Sequence, residues 1–118
     1  MIAAMTKRPR LNVVHIPTAS VLGPMMAQIR RLAERSERVF FSPHAREQMA
    51  KRGLTDVEVI RVLRIGEISG LPWHEPDIGG RACKVVFRPR GSRAVGVITV
   101  VLESEALVLK TVEWEDGK

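Results

Sequence analysis

At 118 residues, 45% hydrophobic and 27% charged, the chain is long enough for one hydrophobic core and too short for two. The lone Cys83 excludes an intrachain disulfide framework and any CxxC-type zinc spacing, and no apolar run approaches the roughly 20 residues that a membrane span needs. A cytoplasmic protein is expected, and its net charge of +6 turns attention to polyanionic or acidic partners.

Residues 1–20 carry little periodicity and are expected to form a flexible tail, with a short extended piece over 11–16. The basic cluster Lys7-Arg8-Pro9-Arg10 follows the apolar Met1–Met5 start, the reverse of the order in a secretory signal. Pro24 is expected to open an additional helix running to about Arg38, in residues 21–38, with Met25, Ile29, Leu32 and Ala33 as its apolar stripe. Residues 39–118 then read as a single α+β domain. Val39-Phe40-Phe41 is a short apolar connector into Pro43–Arg52, a helix capped by Ser42 and stopped by Gly53. Thr55-x-x-Glu58 is a capping box opening the next helix, in which Val57, Val59, Ile60, Val62 and Leu63 form a wide apolar face.

After Gly66 the period changes from helical to alternating. Glu67–Leu71 reads as a strand ended by Pro72, and Trp73–Gly80 as a loop. Arg81–Arg88 alternates, placing Cys83, Val85 and Phe87 on one face and Lys84, Val86 and Arg88 on the other. Pro89–Ser92 is a turn. Val95–Leu102 is apolar on both faces, as a central strand should be, and Leu107–Trp114 is the last strand. The expected architecture is therefore N-terminal helices packed on an antiparallel sheet of about four strands.

Charge is unevenly spread along this chain. Residues 1–64 carry 12 Lys/Arg against 5 Asp/Glu, and residues 65–118 carry 7 against 8. Even in the second half, Arg81, Lys84, Arg88, Arg90 and Arg93 form a run with no acid among them. Nucleic acid or an acidic protein partner suits that asymmetry.

His44-Ala45-x-x-x-Met49-x-x-Arg52-Gly53-Leu54-Thr55, the helix end at Gly66-Glu67-Ile68 and the final strand Val108–Val112 together resemble a small bacterial family, the domain of unknown function 4258 family. The resemblance covers roughly residues 40–115. The family pattern usually has an arginine where this chain has Gln48. Its helices-then-sheet order is similar to RelE-like and BrnT-like ribonuclease toxins, which implies RNA cleavage and an antitoxin protein encoded nearby.

Metal-independent RNA cleavage needs a base for the 2′-hydroxyl, cations for the charge on phosphorus and an acid for the leaving oxygen. His44, Arg52 and Lys84 are the candidate catalytic groups, an imidazole that can act as acid or base with two cations. Arg46, Lys51, Arg88 and Thr111 are candidates for holding RNA phosphates, and Trp73 or Trp114 for stacking a base. No cofactor or metal is expected, since His74, Glu75 and Asp77 on a proline-flanked loop make a weak ligand set. Two other functions fit the sequence. A non-catalytic nucleic-acid binder would use helices 43–52 and 56–65 as a helix-turn-helix, and an interaction module would dock its basic surface on an acidic protein.

Overall fold

The computed structural model describes residues 15–116, with side chains from Leu22 onward. Helix α1 spans His15–Ala33, and a single 3₁₀ turn, Ser36–Arg38, leads into strand β1, Val39–Phe41. Helices α2 (Pro43–Arg52) and α3 (Asp56–Ile65) follow, then β2 (Glu67–Glu75), β3 (Gly80–Phe87), β4 (Val95–Leu102) and β5 (Leu107–Trp114).

The sheet is five-stranded in the order β1-β5-β4-β3-β2, so β4 is central as expected. All neighbours run antiparallel except the edge strand β1, which lies parallel to β5 with Val39, Phe40 and Phe41 opposite Leu107, Val108 and Leu109. The supposed connector is thus a fifth strand. A parallel pair formed across almost seventy residues leaves no local signature.

Two further expectations change. Residues 1–14 of the expected tail lie outside the described residues, but the backbone of 15–20 is helical and Pro24 sits inside α1 rather than at its start. An internal proline forfeits one helical hydrogen bond. Among the described side chains of α1, Met25, Met26, Ile29, Leu32 and Ala33 are buried, and the helix ends at Ala33, short of the expected Arg38. Strand β2 also continues through Pro72 to Glu75. Ser69 pairs with Lys84 and Trp73 with Ala82, so Gly70-Leu71-Pro72 bulges out of the ladder and the proline, which cannot donate, is accommodated there.

The helix caps form as the sequence dictates. Ser42 Oγ accepts from the Ala45 N–H at 3.0 Å and donates to the Lys110 carbonyl at 2.9 Å, so the cap also pins α2 to β5. Gly53 takes a left-handed conformation, φ 66°, and Thr55 with Glu58 completes a reciprocal capping box. In α3 the buried positions are Val59, Val62 and Leu63, an i, i+3, i+4 stripe, whereas Val57 is 76% exposed. Val57 precedes Val59 by two residues, about 200° around the helix, and so turns away from the core.

One core cluster joins all three helices to a single sheet face. It includes Ile29, Ala45, Met49, Val59, Val62 and Leu63 from the helices and Cys83, Val85, Val97, Leu107, Leu109 and Val112 from the sheet. The alternate residues of β3, β4 and β5 face the opposite way. That second face, which carries Lys84, Gly96, Ile98, Thr111 and Glu113, is not packed on by the helices among the described residues.

Candidate functional site

The structure disperses the three groups that the sequence offered for catalysis. His44 sits in the first turn of α2 with 61% of its side chain exposed and its Nδ1 3.7 Å from Glu47 Oε1. Arg52 ends the same helix, eight residues and about 12 Å further along the axis. Its Nη1 donates to both the backbone carbonyl and the side-chain oxygen of Gln48. Lys84 lies on the far side of the sheet from both. Of the other candidates, Arg46 stacks 4.1 Å over the Phe41 ring and pairs with Asp56. Lys51 is exposed on α2. Arg88 is exposed just past β3 and donates to the Ser92 carbonyl at 3.1 Å. Thr111 does share a face with Lys84, because Lys84, Ile98 and Thr111 stand opposite one another across β3, β4 and β5.

Lys84 is the best-organised of these residues. Its ammonium lies 3.1 Å from Glu115 Oε1 and 3.5 Å from Glu113 Oε2, with 28% of its side chain exposed. The hydrogen bond to Glu115, helped by the charges of Glu115 and Glu113, raises its pKa above the ordinary lysine value against a smaller opposing cost of burial. The second Glu115 oxygen is buried without a hydrogen-bond partner among the described residues. Gly96 explains how these groups fit. A Cβ there would come within 3.1 Å of the Glu115 carboxyl carbon and 3.2 Å of Lys84 Cδ, and would collide with Glu115 Oε2. A bare backbone in the central strand makes the recess in which the carboxylate lies.

At the other end of this face, Lys110 Nζ binds Glu75 Oε2 at 2.8 Å while Trp73 Nε1 donates to Glu75 Oε1 at 3.0 Å. These bonds hold the Glu75 carboxyl below the usual range. Glu75 is therefore engaged by a lysine and an indole rather than joined to His74 and Asp77, and among the described residues no three His, Cys, Asp or Glu side chains gather in a metal-holding group.

The open face is thus a set of lysine–carboxylate pairs rather than a bare basic strip. Sequence reasoning missed Glu113 and Glu115. The available signal was Gly96, an isolated glycine in an otherwise β-branched strand, which marks close approach by another group.

Three arginines gather instead at one end of the sheet. The connection between β3 and β4, residues 88–94, carries Arg88, Arg90 and Arg93. Arg93 covers the Trp114 ring at 4.3 Å and pairs with Asp116. Beneath this connection, on the helix side, a cleft of about 320 Å³ is lined by Arg52, Leu54, Arg61, Phe87, Val95 and Trp114 among others. The Lys84 cluster stands on the opposite face at the same end, since Val95 and Trp114 adjoin Gly96 and Glu113 in sequence. A helix-turn-helix use of α2 and α3 fits poorly: α3 buries Val59, Val62 and Leu63, and Arg64 donates to the Ala33 carbonyl at 3.0 Å.

No helix among the described residues is long and apolar enough to cross a membrane. The model of a family described as a domain of unknown function (DUF4258) matches residues 41–114, more than half of the chain. No curated protein and no solved structure matches it.

Proposed function

The chain belongs to the domain of unknown function 4258 family, and we propose that it cleaves RNA without a metal, as a small toxin-type ribonuclease, on the sheet face that carries Lys84. The observation that carries the reading is the Lys84 ammonium held between two carboxylates on a face that no described helix covers. Glu113, the more exposed carboxylate at 42% of its side chain, is the base. It takes the proton of a ribose 2′-hydroxyl as the 2′-oxygen bonds to phosphorus. The bond from phosphorus to the 5′-oxygen breaks, and that oxygen takes a proton from the Lys84 ammonium. The products are a 2′,3′-cyclic phosphate and a 5′-hydroxyl. Glu115, enclosed over Gly96, orients Lys84, and its charge keeps the amine protonated until transfer.

Arg88 and Arg90, on the adjoining connection, supply backbone neutralisation for a strand entering the face. His44 has no part in this scheme.

The test is incubation of the purified protein with end-labelled single-stranded RNA in the presence of a chelator. Cleavage leaving cyclic phosphate ends, lost when a 2′-deoxy residue precedes the scissile bond and reduced at least a hundredfold in Glu113→Gln, is the expected result. Induced expression should arrest growth, and co-expression of an adjacent gene encoding an acidic partner should relieve it. Intact RNA and unimpaired growth would remove catalysis. RNA binding in the same samples would then leave the non-catalytic reading, which the arginine-rich connection and the adjoining cleft favour.

A further inference from the structure

The cleft between the α2–α3 corner and the β3–β4 connection combines features that the Lys84 face does not use. Its walls are apolar where Leu54, Val62, Val95, Phe87 and Pro89 meet, and Trp114 adds an indole. Two guanidinium groups enter that setting. Arg61 stands 5.9 Å over the Phe87 ring and makes no ion pair among the described residues. Arg52 is half-buried, and its Nε is enclosed without a hydrogen-bond partner among the described residues while Nη1 is occupied by Gln48. Glu58 also lines the cleft, but its Oε1 accepts from both the Thr55 backbone N–H at 2.8 Å and the Thr55 hydroxyl at 3.1 Å, which fixes it as a helix cap.

We infer that this cleft binds a single nucleotide, with its base against Phe87 and Trp114 and its phosphate between Arg52 and Arg61. The volume of about 320 Å³ sits at the lower end of the roughly 300–1,000 Å³ typical of ligand sites. Arg61, exposed and without an ion pair among the described residues, is the donor that a phosphate oxygen can reach, and a guanidinium–phosphate pair is among the strongest hydrogen-bonded contacts a side chain makes. Guanidinium and aromatic side chains in one apolar recess give a planar, anionic ligand both stacking and charge, where an aliphatic anion would gain only the charge. The ligand is either a free mononucleotide or one unit of an RNA strand that turns round the sheet end from the Lys84 face. Only the second source rests on the ribonuclease reading, so the cleft and the catalytic face stand or fall by different measurements.

The chain has two tryptophans, Trp73 and Trp114, so a Trp73→Phe protein reports on the cleft alone. Its fluorescence is titrated with AMP, adenosine, inorganic phosphate and a short oligoribonucleotide. AMP should quench Trp114 saturably, at least tenfold more tightly than adenosine or phosphate alone. Arg61→Ala, an exposed site whose fold is checked by circular dichroism, should weaken AMP at least tenfold, and Glu113→Gln should leave it unchanged. An oligoribonucleotide binding far more tightly than AMP identifies the strand as the source, and parity identifies the free nucleotide. No quenching by any nucleotide up to about 10 mM, or equal affinity for AMP and adenosine with Arg61→Ala indifferent, overturns the inference.

Discussion

The Lys84 ammonium and the Glu115 carboxylate meet 3.1 Å apart over the bare backbone of Gly96, in the central strand of the sheet. That recess separates two effects that glycine substitution usually confounds. In Gly96→Ala the atoms in the way are the ends of flexible side chains, Glu115 Oε2 and Lys84 Cδ. They swing aside at little cost in stability but lose their mutual geometry. In Gly80→Ala the new Cβ meets the Val101 carbonyl oxygen at 2.6 Å and Val100 Cγ1 at 2.7 Å, where backbone must move. Thermal denaturation should show Gly96→Ala within a few degrees of the parent and Gly80→Ala destabilised by about 1–3 kcal/mol. RNA cleavage should fall sharply in Gly96→Ala alone. Equal loss of stability in the two variants would mean that Glu115 is not lodged over Gly96.

Two neighbours on β3 make alkaline stability a second measurement of the same strand. Burial pushes the Cys83 thiol up to about 12, from an ordinary value of 9.0. The unfolded chain therefore loses that proton first, and stability falls as pH rises from about 9 toward 12. Lys84 is also raised, by Glu115 foremost, so its contribution is complete below 10.5 and fades as pH climbs through its higher folded value. Denaturant midpoints from pH 8 to 12 should fall in two stages. Cys83→Ala removes the earlier stage, and Lys84→Met the later one. A profile unaltered by Lys84→Met would mean that the ion pair makes no difference between the folded and unfolded chains.

What the sequence disclosed follows the range over which each interaction acts. Ser42, Gly53 and the Thr55–Glu58 box act within four residues, and α2 and α3 appear where those residues place them. The alternation in β3 correctly separated Cys83 and Val85 from Lys84, because period two is a local property. Strand β1 exists only by pairing with Leu107–Leu109. The Gly70–Pro72 bulge, likewise, exists only against β3. The candidate site fared similarly: Lys84 was visible as a cation on a strand, but its partners lie 29 and 31 residues on and adjoin it through the register of β3, β4 and β5. His44 attracted attention by residue type, and type alone does not bring an imidazole to a carboxylate–lysine cluster across a sheet.

His44→Ala is accordingly a test between two assignments. The side chain is largely exposed and its Glu47 contact is a surface pair of small worth. The variant should match the parent in melting temperature to within a degree or two, and should keep its full rate of RNA cleavage. A folded His44→Ala protein with cleavage reduced a hundredfold would return catalysis to the helix layer and remove Glu113 from the role of base.

The remaining prediction concerns the arginines of the β3–β4 connection. Arg90 is exposed and Arg88 uses one nitrogen on the Ser92 carbonyl, leaving the rest of its guanidinium for a phosphate. A cation that neutralises one backbone phosphate releases condensed counterion, so binding constants measured against salt should follow a straight line on logarithmic axes. Arg88→Ala and Arg90→Ala should each reduce that slope by about 0.7 unit on single-stranded RNA. Lys84→Ala should reduce it less, because its charge is already balanced by Glu113 and Glu115. A slope that changes more in Lys84→Ala than in Arg90→Ala would place the strand's main electrostatic contact inside the lysine–carboxylate cluster and off the connection.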